Sequence, residues 1–148
     1  MLTFTVFGVP QAKGNLRVFR GNGMKVPIVT ESNRSVKSWQ QLIADGANRA
    51  LHELETPELL TGAIALHVEF YLPRPKALQR ERDRAVAHTR KPDIDKLARA
   101  VLDALTGVVY ADDRQIVLLS TSKHYAGLGV PPRAVISASP IAASEGSR

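Results

Sequence analysis

Hydrophobic and polar positions along this chain follow two periods, one of strands and one of helices. Leu2 to Val9 alternates and is rich in Phe, Val and Thr, which predicts a first strand closed by Gly8 and Pro10. Gln11 to Pro27 holds four Gly or Pro breakers and reads as a loop or hairpin, with Val26 to Val29 as a short strand. From Ser32 to Leu54 the pattern changes. Val36, Trp39, Ile43, Ala47, Ala50, Leu51 and Leu54 recur at three- and four-residue steps, which predicts a helix that Ser35 or Ser32 could cap. Thr61 to Leu72 alternates again, with Ile64, Leu66, Val68 and Phe70 on one face and His67 and Glu69 on the other.

Pro73 to Arg90 is basic, bounded by proline and without sustained periodicity, and predicts a loop with at most a helical turn within Lys76 to Ala87. A second helix follows from Ile94 to Thr106. Its Ile94, Leu97, Ala98, Val101, Leu102 and Leu105 form one apolar stripe, and Gly107 ends it. Gln115 to Tyr125 and Arg133 to Ser139 are the last strands, and Ala142 to Arg148 is a frayed tail. The elements predict an α/β (α+β) fold, a small mixed sheet of about four strands packed against two main helices. Residues 1–141 make one domain of it, with 142–148 as the tail.

Composition sharpens this picture without changing it. A chain of 148 residues with 44% hydrophobic and 23% charged residues suits one soluble domain with a real core. No apolar run approaches the roughly 20 residues that span a bilayer. The first residues lack a basic region and a cleavage site of the signal-peptide kind. With no cysteine, thiolate zinc sites, iron–sulfur clusters and disulfides are excluded, and a cytosolic location is the default expectation. The net charge is +6 and the basic residues are bunched. Six lie between Gln11 and Lys37 against one acid, and nine between Arg74 and Arg99 against four. Each alone reads as solvated surface; together they favour a polyanion, most plausibly nucleic acid. At 5% aromatic residues the chain offers little base-stacking surface.

Against that basic background, Lys91 to Gln115 gathers Asp93, Asp95, Asp103, Asp112 and Asp113. Carboxylates held close together repel unless a cation or basic groups neutralise them. Such a cluster is what metal-assisted chemistry on phosphates requires. Two residues apart on a helix point about 200° apart, so Asp93 and Asp95 can share an ion only where the backbone enters the helix extended. Pro92 suits such a start. Capping alone would account for Asp93, but not for Asp95 and the returning Asp112–Asp113 pair. In an extended segment only one of those two faces a given site. Asp95, Arg99 and Asp103 share a helix face, on which an Arg99–Asp103 ion pair is the plain expectation. His67 is either a metal ligand or, more simply, an outward-facing strand residue.

The run KPDIDKLARAVLDAL followed by GVVYADDRQI resembles the RusA family of Holliday junction resolvases. That family's hallmark is D-x-D-N-L, a lysine, D-A-L and then D-D-x-Q before a hydrophobic segment. FGVPQAKGNLR at the start resembles its strand, proline and basic loop. The resemblance implies a dimeric endonuclease that uses Mg²⁺, with Mn²⁺ as a substitute, to make paired incisions in four-way DNA junctions. Carried over by position, the metal-binding aspartates are Asp93, Asp95 and Asp113, with Asp112 as the less certain neighbour and Asp103 structural. Lys13, Arg17, Arg34, Arg90, Lys91 and Lys96 are the expected DNA-holding residues. Lys96 stands where the family has asparagine, and Arg99 where it has the lysine. Arginine neutralises phosphate charge but does not readily give up a proton at neutral pH. Lys96 is therefore a candidate for part of that role, beside Arg99 as the expected catalytic cation. The competing readings are a junction-binding protein without catalysis and another metal-dependent phosphotransferase or nucleotide hydrolase. The second lacks a P-loop.

Overall fold

The structure is a computed structural model that describes residues 1–14, 16–19, 23, 28–31, 33–55, 57–78 and 86–143. Its strands are β1 (Leu2–Phe7), β2 (Leu16–Phe19), β3 (Ile28–Glu31), β4 (Ile64–Leu72), β5 (Ile116–Tyr125) and β6 (Arg133–Pro140), and its helices are α1 (Val36–His52) and α2 (Ile94–Leu105). Short 3-10 turns stand at Lys76–Leu78 and Asp113–Gln115. β1, β6, β4 and β5 form one mixed sheet in that order, and β2 and β3 form a separate antiparallel hairpin. The α+β expectation is met, with four strands in the sheet and two helices.

Alternation decides which sheet face is covered. Leu66, Val68, Phe70 and Leu72 of β4, Ala134, Ile136 and Ala138 of β6, and Leu2 and Val6 of β1 are buried on one face. There they join Val36, Trp39, Ile43, Ala47 and Leu51 of α1 and Leu97, Val101 and Leu105 of α2 in one core. Gly46 lets α1 come close to β1, since a Cβ there would stand 3.2 Å from Val6 Cγ2. The opposite face of β4 carries the exposed His67, whose Nε2 lies 3.4 Å from Glu69 Oε1. This is the outward strand position expected of it.

β4 and β5 run parallel, with Leu66 opposite Leu119 and Leu72 opposite Tyr125. Parallel neighbours need a crossover, and α2 supplies it. The chain leaves the C-terminal end of β4, returns along α2 and re-enters the sheet at the N-terminal end of β5. Two sets of hydrogen bonds fix these ends. Lys123 Nζ near the end of β5 donates to Arg90 O at 2.7 Å and Pro92 O at 3.0 Å, tying down the segment before α2. Leu60 N donates to Val109 O at 2.7 Å, tying the segment after α2 to the start of β4.

Several boundaries differ from the sequence reading. β1 stops at Phe7, and Gly8, at φ 144°, turns the chain while its N–H donates to Pro132 O. The described short strand is Ile28–Glu31, paired with β2 in the hairpin that the breakers anticipated, and residues 26 and 27 of the expected strand lie outside the described residues. Ser35 holds the N-cap position of α1 but makes no side-chain cap; Asn33 Oδ1 instead accepts from Ser35 N at 3.1 Å. Ser32, residues 79–85 and residues 144–148 lie outside the described residues.

Candidate active site

The crossover gives each aspartate its place. Asp93 is the N-cap of α2, in extended backbone at φ −70° and ψ 137°, and its side chain makes no capping hydrogen bond. Extended backbone is what pairing with Asp95, in the first turn of α2, requires. Asp93 Oδ2 lies 3.8 Å from Lys96 Nζ, a long i,i+3 contact between partly exposed groups. Among the described residues the side chain of Asp95 has no hydrogen-bond or ion-pair partner. Both carboxylates are exposed at the positive end of the helix dipole, which stabilises negative charge there.

Basic groups surround them. Lys13, Lys91 and Lys96 line a groove of about 460 Å³ together with Asp93, Gln11 and Asn33. The loop after β1 is bound to α2 through Lys13 N, which donates to Lys96 O at 3.1 Å. Asn33 Nδ2 donates to Ala12 O at 2.7 Å and holds the same loop from the side of α1. Lys13 Nζ reaches along α2 to Asp103 Oδ2 at 3.4 Å, so Asp103 is engaged by the first loop rather than by Arg99. Arg34, Arg90, Lys91 and Arg99 are exposed, and Arg17 belongs to β2.

The second acid pair is built differently. Asp112 caps the 3-10 turn before β5: its Oδ1 accepts from Arg114 N at 2.9 Å, and its Oδ2 lies 3.3 Å from Arg114 Nε. Gln115 closes the capping box, its Oε1 accepting from Ala111 N at 3.0 Å and Asp112 N at 3.1 Å. Gln115 Nε2 then donates to Leu60 O and Gly62 O, both at 3.1 Å, and so pins the turn to the start of β4. Beneath it, buried Tyr110 donates from its hydroxyl to Leu102 O at 2.9 Å. Burial pushes that hydroxyl well above the usual tyrosine range; the charges of Asp113 and Asp103 add to the shift, and a hydrogen bond with Thr106 opposes it. Asp113, next to the capping residue, is exposed and has no hydrogen-bond or ion-pair partner among the described residues.

Asp93 and Asp95 therefore lie at one end of α2, and Asp112 and Asp113 at the other. The 12 residues of α2 span about 18 Å at 1.5 Å per residue. Carboxylates that share a Mg²⁺ each stand about 2 Å from it. Among the described residues no three His, Cys, Asp or Glu side chains form a metal-binding group. The expected gathering of Asp93, Asp95 and Asp113 is thus not achieved within one chain. The donor chemistry of Asp93 and Asp95 suits a hard divalent cation, and Asp113 stands at the other end of α2 from them. Asp112 gives its oxygens to Arg114 as the cap of the 3-10 turn.

Residues 8–137 match the family described as Endodeoxyribonuclease RusA. The chain belongs to this family. It is also 32% identical over 131 residues to the uncharacterized protein YqaN of Bacillus subtilis (strain 168), a match covering 84% of this chain and 87% of that one. RusA membership makes the chain an endodeoxyribonuclease that hydrolyses phosphodiester bonds, in a family that acts on branched DNA junctions and serves recombination. Among the described residues no helix is long and apolar enough to cross a membrane.

Sequence reasoning misses two residues that shape this RusA site. Lys123 clasps the segment before Asp93, and its signal is a lysine in the helix-facing register of β5, after Leu119 and Thr121. Gln115 reads in the sequence only as the start of a strand, although D-D-x-Q has the spacing of a capping box.

Proposed function

We propose that this chain resolves four-way DNA junctions by paired symmetric incisions, as a homodimer and with Mg²⁺, for which Mn²⁺ can substitute. The observation that carries this reading is the exposed carboxylate of Asp93 in a groove lined by Lys13, Lys91 and Lys96, with the exposed Asp95 two residues on in the first turn of α2. A carboxylate pair alone would repel DNA, and a lysine groove alone would only bind it. Set together, they suit a cation and a phosphodiester at the same place.

Lys13, Lys91 and Lys96, with Arg17, Arg34 and Arg90, hold phosphates, which gives affinity and orientation without reading sequence. Arg99, one turn beyond Asp95, neutralises charge on the phosphate under attack. Asp93 and Asp95 are the cation ligands that one chain supplies. A divalent ion held by carboxylates lowers the pKa of its water and stabilises the departing 3′ oxygen.

The test is incubation with a synthetic immobile four-way junction, with and without Mg²⁺, followed by mapping of the cuts. The expected result is cleavage only with the metal, at symmetric positions in two opposed strands. Binding without cutting under every metal condition would replace this reading with that of a junction-binding protein. Equal cutting of unbranched duplex would replace it with that of a general phosphodiesterase.

A further inference from the structure

We propose that the recess beside the lysine groove, lined by His88 and Tyr125, takes one unstacked DNA base next to the phosphate held in the groove, and that His88 sets which base is accepted. This rests on the nuclease reading above and adds to it the part of the substrate that is read. The recess holds about 270 Å³ and meets the groove at Leu72, Lys91 and Pro92, which line both. It is smaller than the roughly 300–1,000 Å³ of a site for a drug-sized ligand, which suits a single ring system. A phosphate beside Asp93 therefore brings a neighbouring base to the mouth of the recess.

The recess is built before any ligand arrives. Leu72 and Tyr125, register partners on β4 and β5, line one part of it. Pro73 and Pro75 line another, in a turn closed by Leu78 N donating to Pro75 O and Arg74 Nε donating to Leu78 O, both at 2.9 Å. The remaining side is the segment from Arg90 to Pro92, which Lys123 clasps from β5. His88 lies in the same recess, stacked on Tyr125 with ring centroids 4.1 Å apart and 27° between the planes.

The lining divides into parts that hold any base and a part that chooses. Prolines and an aromatic pair give flat apolar surface for stacking, and the exposed Arg90 and Lys91 give charge to the flanking phosphates. The choosing group is His88. Its Nδ1 is buried without a hydrogen-bond partner of good geometry, although backbone groups at His88 and Arg90 act on the ring. Burial, and then the charge of Lys123, hold its pKa below the ordinary histidine value, so the ring is uncharged at neutral pH. A neutral imidazole offers one donor and one acceptor. A base whose edge does not match leaves a buried polar group unpaired, which is the strongest source of discrimination in a small site. The base must first leave its stack, and that costs least where pairing is already interrupted. The branch point of a junction supplies such a base and the interior of a duplex does not, so one recess ties the choice of base to the choice of DNA structure.

The test is photo-crosslinking in the absence of divalent metal. Immobile four-way junctions carrying 5-iodouracil at single positions around the branch point are bound to the protein and irradiated, and the adducts are mapped by mass spectrometry. Adducts on His88 or Tyr125 are expected from a position at the branch point, and not from the same base in unbranched duplex. Unmodified junctions with each of the four bases at that position then compete for the cross-link. The best base is expected to compete about 10-fold better than the worst for the wild-type protein. In His88→Phe, which keeps the ring stack but loses its nitrogens, Tyr125 should still cross-link and the four bases should compete to within about 2-fold. A junction that is not bound, or is bound with adducts only outside the recess, overturns the proposal. So does a wild-type protein with no base preference, or a preference that His88→Phe leaves unchanged. Because nothing here is read from cutting, a protein that gives the expected cross-links yet cuts no junction under any metal upholds the base site and refutes only the nuclease reading.

Discussion

Asp93 and Asp112 hold the same local position and use it in opposite ways. Each is an N-cap in extended backbone, at ψ 137° and 136°, in front of a helical turn. Asp112 gives its oxygens to Arg114 and takes part in a complete capping box with Gln115. Asp93 makes no cap, although the backbone would permit one. A carboxylate whose lone pairs are committed to neighbouring N–H groups is part of the fold. One left open beside lysines, at a helix N-terminus, is available to a ligand. The contrast separates structural from chemical acids that look alike in the sequence.

The largest expected effect tests the open acids. Asp95→Asn and Asp113→Asn should each lower junction cleavage by more than about 100-fold, the several kcal/mol that a missing metal ligand implies. Junction binding should stay intact or tighten, because removing a negative charge eases the approach of phosphate. A gel-shift titration beside a cleavage time course checks both, and near-wild-type cutting by either variant would remove that residue from the centre.

The committed end should respond in stability instead. Gln115→Ala removes four hydrogen bonds, two accepted and two donated. At about 1 kcal/mol net for each, partly made up by water, the loss should be about 2–4 kcal/mol in urea unfolding. A loss no larger than that of an ordinary surface substitution would mean that the turn does not depend on Gln115.

A smaller effect concerns the groove. Replacing Lys13 and Arg17 by alanine should weaken junction binding and flatten its salt dependence, by about 0.9 in the log–log slope for each phosphate that is no longer neutralised. An unchanged slope would put the first loop away from the DNA.

The smallest expected effect is a pH dependence at the segment before α2. His88 stacks on Tyr125 at 4.1 Å, and its pKa lies below the usual value, first through burial and then through the positive charge of Lys123. A depressed value means that the unfolded chain takes up the proton first. The contribution of His88 is present above its ordinary pKa of about 6.5 and is lost as pH falls through the lower folded value. His88→Phe should flatten stability against pH in that window, and an unaltered profile would rule this contribution out.

The local parts of this molecule were legible because they depend on short-range period. Most apolar positions expected of α1, α2 and β4 fall on buried faces, although Ile94 and Leu54 are exposed, and Gly107, at φ 80°, follows α2 as predicted. Sheet order was not legible, because no local signal says that β6 inserts between β1 and β4. The site was legible only by half, for a related reason. Aspartates close together in sequence look close in space, yet the helix between them is a rigid spacer that carries Asp95 and Asp113 to opposite ends of a crossover. Asp103 shows the same limit: its helix neighbour Arg99 is the local expectation, and Lys13, distant in sequence, takes it instead.

The most direct measurement compares Asp93→Asn and Asp112→Asn on the same immobile four-way junction in Mg²⁺. Asparagine caps helical turns about as well as aspartate, so both variants should fold while each loses one charge. The account predicts that Asp93→Asn no longer cuts the junction and that Asp112→Asn cuts it at close to the wild-type rate. Equal loss in both, or loss in Asp112→Asn alone, would contradict it.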